Sequence, residues 1–177
     1  MRKTLNLLYD GAGYLAAAFV LAIFVVMIGS SLMREVGIGT GGTDDLVAWF
    51  CAASAFLAMA HTFRYGDFVR VTLILEKLPE RLHRWVEIVC LTIGTAFTGY
   101  LAFWTVRYVY ESWQYKQMAD GLLAIPIWIP QISFVLGALL LCLAVVDELI
   151  VVLRGGKPIY VTAVEERHAR GDFSEDI

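Results

Sequence analysis

The sequence predicts an all-α integral membrane protein of four transmembrane helices with both termini in the cytoplasm (N-in/C-in), and three observations lead there. The chain of 177 residues is 59% hydrophobic with a mean hydropathy of +0.67, whereas a soluble domain is about 45–50% apolar. Its apolar residues gather into four blocks, each close to the roughly 20 residues that a helix needs to cross a ~30 Å hydrocarbon core. Of the 14 Lys and Arg residues, only Arg34, Arg107 and Lys116 fall on the far side of the resulting map. Short loops rich in Lys and Arg stay on the cytoplasmic side.

The first span, residues 11–33, is an uncharged run preceded by Arg2 and Lys3. A secretory signal has the same charge order, but its apolar region is only about 7–15 residues. The longer run predicts an uncleaved helix. Arg34 to Thr43 then holds Gly37, Gly39, Gly41 and Gly42, the composition of a flexible turn.

Thr43 or Asp44 can cap the second span (44–63). Asp44 and Asp45 fall in its first turn, where carboxylates favour the positive end of the helix dipole. Capping accounts for this acidic pair more simply than ion binding does. The span is rich in small residues, and the pairs Ala48/Ala52, Cys51/Ala55 and Ser54/Ala58 have the spacing that lets helix backbones approach closely in lipid. It is expected to be the most protein-enclosed helix, with Ala48, Ala52 and Ala55 as candidates for a partner interface. His61, at its cytoplasmic end, reads as a solvated residue rather than a ligand.

Arg64 to Arg84 is the one strongly charged stretch between apolar blocks, with Arg64, Arg70, Lys77, Arg81 and Arg84. It separates two spans from two and fixes the orientation of all four. Phe68, Val71, Ile74, Leu75, Leu78 and Leu82 share one side of a helical wheel, which suits an amphipathic helix at the membrane surface. Val69, Val71, Leu73 and Leu75 also satisfy a strand period. Pro79 suits the first turn of the next helix.

The third helix can run unbroken from Glu80 to Tyr115 around a span at 85–107. That is about 50 Å, so the helix must tilt or project from the membrane. Its far end carries Tyr100, Phe103, Trp104, Tyr108, Tyr110, Trp113 and Tyr115. An interfacial aromatic belt is the default reading. The cluster is also dense enough to dock a protein, with Trp104, Tyr108 and Trp113 as the candidates. Arg107 and Glu111 are four apart and can pair.

Asp120-Gly121 is a turn signal, Pro126 and Pro130 mark the start of the fourth span (127–153), and Trp128 suits the interface. Arg154, Gly155 and Gly156 end it. Asp147 and Glu148 lie in its last turns, where they are expected to face water or pair with loop arginines. Residues 157–177 form a polar cytoplasmic tail.

Little catalytic chemistry fits this pattern. Cys51, Cys90 and Cys142 lie singly in apolar blocks, as buried small hydrophobes do, whereas a disulfide-generating quinone oxidoreductase needs paired cysteines at the outer face. A haem protein needs histidines facing each other within the bilayer, but His61, His83 and His168 are at or beyond the boundary. No nucleic-acid footprint is present. No cofactor, metal or catalytic residue is expected. A stand-alone channel or exporter would show polar groups at mid-bilayer, and the nearest candidates, Glu87 and Asp147, sit at the edge.

The order of motifs resembles the small membrane subunit (DctQ-like, Q subunit) of tripartite ATP-independent periplasmic (TRAP) transporters, from about Leu5 to Leu153. Gly66, Val69, Arg70, Val71, Leu75, Leu78 and Pro79 match a glycine and basic residue before a leucine-proline pair. Gly121, Pro126 and Trp128 match a second pattern that opens the last helix, and Asp44 or Asp45 matches an acidic residue that opens the second. Phe68 stands where members often carry histidine. The resemblance implies a scaffold subunit in the bacterial inner membrane. Its partners would be a large membrane (M) subunit and a periplasmic solute-binding protein, importing an organic acid with a cation gradient, usually sodium.

Overall fold

A computed structural model describes residues 2–65 and 80–156. They form α1 (Arg2–Glu35), α2 (Thr43–Tyr65), α3 (Glu80–Gln114) and α4 (Trp128–Leu153). All four are long and apolar enough to cross a membrane. Among the described residues there is no strand, only a bridge between Met118 and Pro126. The amphipathic segment holding Gly66, Arg70, Leu78 and Pro79, and the tail 157–177, lie outside the described residues.

α3 has the expected length, with 35 residues, and α1 is almost as long, with 34. The first helix extends well ahead of its uncharged run because Asn6, Tyr9 and Asp10 all find partners on other helices. α2 packs against α1 and α4, and α4 against α2 and α3, so α1 and α3 are the outer helices. Arg64 bonds to Asn6 and Asp147, and Arg84 to the Val152 carbonyl, so both ends of the described chain lie at one end of the bundle. The α1–α2 and α3–α4 loops meet at the other, the loop end.

α2 is not the most enclosed helix. A third of the α4 span is buried, 33% against 17% for α2. The inner face of α2 is Ala53, Leu57, Ala60 and Arg64, while Ala48, Cys51 and Ala55 are exposed and Ala52 is half-buried. Small residues occur all round this helix, so their spacing alone does not select a face. α4 instead buries one long stripe from Gln131 through Gly137, Ala138, Leu141, Ala144, Val145 and Glu148 to Val152. Midway along it, a Cβ on Gly137 would overlap the Phe56 carbonyl and lie 2.7 Å from Phe56 Cβ. The α2–α4 approach therefore depends on a glycine on α4.

Two cysteines also depart from expectation. Cys51 and Cys90 are exposed and Cys142 is half-buried. In lipid the outside of a bundle is as apolar as its core, so an apolar side chain gains nothing by turning inward.

Three helices end alike. Ile38 N–H reaches Met33 O and Gly37 N–H reaches Arg34 O, Gly156 reaches Val151 and Gly155 reaches Val152, and Gln117 reaches Ser112 and Lys116 reaches Trp113. This is the Schellman arrangement, in which the residue after the cap is left-handed. Gly37 (φ 77°) and Gly155 (φ 83°) adopt that conformation without steric cost, but the third such residue is Lys116 (φ 49°).

Candidate functional site

The polar groups concentrate at the two ends of the bundle. At the terminal end Arg64, in the last turn of α2, is only 7% exposed. Its Nη1 donates to Asp147 Oδ2 of α4 at 2.9 Å and its Nη2 to Asn6 Oδ1 of α1 at 3.0 Å. The guanidinium also lies 5.6 Å from the centre of the fully buried Tyr9 ring. One side chain thus ties three helices together, and its planar fork suits two simultaneous acceptors. One turn earlier, His61 packs against Tyr65 with ring centroids 4.5 Å apart and the rings tilted by 42°, and a Cβ on Gly13 would lie 2.9 Å from its ring. The Tyr65 hydroxyl donates to Asp10 Oδ1 at 2.8 Å, and His61 Nδ1 is 3.7 Å from the same oxygen. The expected solvated histidine is therefore a half-buried packing element between α1 and α2.

Asp147 pairs with an arginine, as expected. Glu148 does not face water, because it is 1% exposed on the inner stripe of α4.

At the loop end, Asp45 Oδ2 of α2 accepts the Leu122 N–H at 3.1 Å. A Cβ on Gly121 would overlap that carboxylate, so any other residue there would push the Asp45 side chain out of this position. Asp45 lies in the first turn of α2, as expected, and its carboxylate also holds the α3–α4 loop over the start of that helix. Asp44 is exposed, 3.9 Å from Arg34 Nη2, and Arg34 Nε donates to Thr40 Oγ1 at 3.0 Å. So exposed a pair adds little. The Thr43 hydroxyl turns back to donate to Thr40 O. The loop is closed on itself, with Ala119 N–H to Ile125 O at 3.0 Å and Ile127 N–H to Gln117 O at 3.1 Å. Pro126 and Trp128 then lead into α4 as predicted.

Between these ends the spans offer no reactive constellation. The hydroxyls of Ser54, Thr62, Thr92, Thr95, Thr98, Thr105 and Ser133 all donate to carbonyls of their own helices. No group of three metal-ligating side chains occurs among the described residues. A family model described as tripartite ATP-independent periplasmic transporters, DctQ component, matches residues 23–155.

The chain belongs to the DctQ family. It is a small membrane subunit of a TRAP transporter, a multi-pass component of transport and not an enzyme. No curated protein matches it. The DctQ match begins inside α1, later than the resemblance that starts near Leu5, so Asn6, Tyr9 and Asp10 lie ahead of it.

Two residues far apart in sequence on which the resemblance rests, Gly121 and one of the two candidate acidic residues, Asp45, meet directly. Pro126 and Trp128 lie at the base of the same loop, near Met118. Trp104, Tyr108 and Trp113 are all exposed on α3. Arg107 pairs with Glu111 at 2.9 Å and lies over the Trp104 ring at 5.2 Å. Sequence reasoning missed Asn6, Tyr9, Asp10 and Gly137. The available signal for the first three was a polar cluster at the start of an otherwise apolar helix. Gly137, a lone glycine in an apolar helix, gave none.

Proposed function

We propose that this DctQ chain is the static scaffold of a TRAP importer that carries an organic acid with a cation gradient, sodium in the usual case, and that it binds no solute itself. Its partners are a large M subunit and a periplasmic solute-binding protein, and it sits in the bacterial inner membrane with both termini cytoplasmic. The observation that carries this reading is where the polar groups are spent. Arg64, Asp147 and Asn6 satisfy one another at one end, Asp45 holds a loop at the other, and seven hydroxyls between them bond their own helices, while the buried Ser30 hydroxyl and Gln131 Oε1, near the loop end of α1 and α4, have no partner among the described residues. A midplane solute or ion site needs broken helices or free polar groups, and the four described helices run unbroken.

Packing surface supports the scaffold role. Only 6% of the α1 span is buried, with Tyr14, Leu21 and Val25 largely exposed. Ala48, Ala52 and Ala55 of α2, and Trp104, Tyr108 and Trp113 of α3, are the faces on which the M subunit and the binding protein are expected. Purified alone in liposomes with an imposed sodium gradient, the chain should take up no organic acid, and co-reconstitution with its M subunit and binding protein should restore uptake. Uptake by the isolated chain would sink the proposal.

The orientation has its own test. Reporter fusions after Thr40 and Ala119 should read as periplasmic and one after Lys77 as cytoplasmic, following the basic residues. A cytoplasmic signal at Thr40 would reverse the topology.

A further inference from the structure

Where α3 ends and α4 begins, an open pocket of about 540 Å³ is lined by Trp113, Gln114, Lys116, Met118, Pro126 and Trp128. We propose that it binds the headgroup of an anionic glycerophospholipid, with Lys116 receiving the phosphate.

Four observations converge on this occupant. The pocket lies at the ends of two membrane-crossing helices, level with the aromatic cluster of α3, which is where headgroups meet protein. Its lining combines apolar walls and two indoles with a single positive charge and no carboxylate, which suits a lipid's glycerol and upper acyl region together with its anion. The chain that carries these lining residues is held by the self-paired loop and by the Ser112 hydroxyl, which is 1% exposed and donates to Gln117 Oε1 at 3.2 Å. Finally, Lys116 occupies the left-handed position that Gly37 and Gly155 fill at the other two helix ends. A lysine there is disfavoured on backbone grounds, so its side chain must contribute something a glycine does not.

A free anion is a poorer occupant, because one exposed lysine holds phosphate weakly while the apolar wall would stay uncovered. The inference concerns the membrane rather than the transport partners, so it stands or falls independently of the uptake experiment.

The test uses the full-length chain in neutral detergent, titrated with short-chain phosphatidylglycerol, phosphatidylcholine of the same acyl length, or inorganic phosphate. Binding is read by native mass spectrometry. Saturable binding of phosphatidylglycerol is expected, weakened about fivefold in both Lys116→Gly and Lys116→Gln and retained in Lys116→Arg. Lys116→Gly should melt no lower than the parent, since glycine relieves the positive φ. Three results would overturn the proposal: phosphatidylglycerol binding by the glycine and glutamine variants equal to the parent's, or binding of phosphatidylcholine or of inorganic phosphate by the parent chain equal to its binding of phosphatidylglycerol.

Discussion

Replacing Arg64 by Met should destabilise the isolated chain by about 3 kcal/mol, the lower end of the range for removing one partner of a buried ion pair. The lower end applies because the Asp147 side chain is 25% exposed and can partly rehydrate once it is alone. Asn6 would lose its donor in the same step, and the Tyr9 ring would lose the cation beside it. Asp147→Asn should cost less, about 1–2 kcal/mol, since an amide oxygen still accepts from Nη1 while the charge assistance is lost. The double replacement Arg64→Met with Asp147→Leu should recover most of the loss, because no unpaired charge remains. Unfolding in mixed micelles by titration with a denaturing detergent measures all three. A loss below about 1 kcal/mol for Arg64→Met would mean that the pair is in effect solvated, as surface pairs are.

Arg64 also shows what the sequence can and cannot carry. Its charge type and its place at the end of an apolar block are legible, and they suffice to count spans and read an orientation. Its burial is not, because that depends on Asn6 and Asp147, 58 and 83 residues away. The same limit applies to helix order. A soluble helix reveals its inner face as an apolar stripe, but a helix in lipid is apolar all round. The small-residue spacing of α2 therefore offered Ala48, Ala52 and Ala55 as a face for a partner but did not single out Ala53, Leu57 and Ala60, the residues that pack inward within the chain. Local signals fared better. Gly155-Gly156 ends α4, Pro126 precedes it, and Arg107 meets Glu111, each being set by residues within a few positions of one another. At the loop end, Asp45 and Gly121 were both legible as motif residues, but their contact required the fold.

Gly137→Ala should lower stability by about 2 kcal/mol, and Gly137→Leu should separate α2 from α4 altogether. The added Cβ meets backbone, the Phe56 carbonyl, rather than a side chain that can rotate away. Overpacking of this kind costs about 1–3 kcal/mol, and the upper part of the range applies where the obstacle is a helix backbone. Alanine offsets up to about 1 kcal/mol of that through its better helix propensity. Gly99→Ala on α3 is the matched control. A Cβ there meets nothing within 4 Å, so only the propensity gain remains and the isolated chain should become slightly more stable. Identical chemistry at two glycines then yields opposite signs, which helix propensity alone cannot produce. If Gly137→Ala matched or exceeded the parent chain in the same detergent titration, the close α2–α4 approach would not exist in the folded protein. Measured again in the presence of the M subunit, Gly99→Ala gives a further result: a loss of complex without a loss of chain stability would place a neighbouring backbone against the outer face of α3.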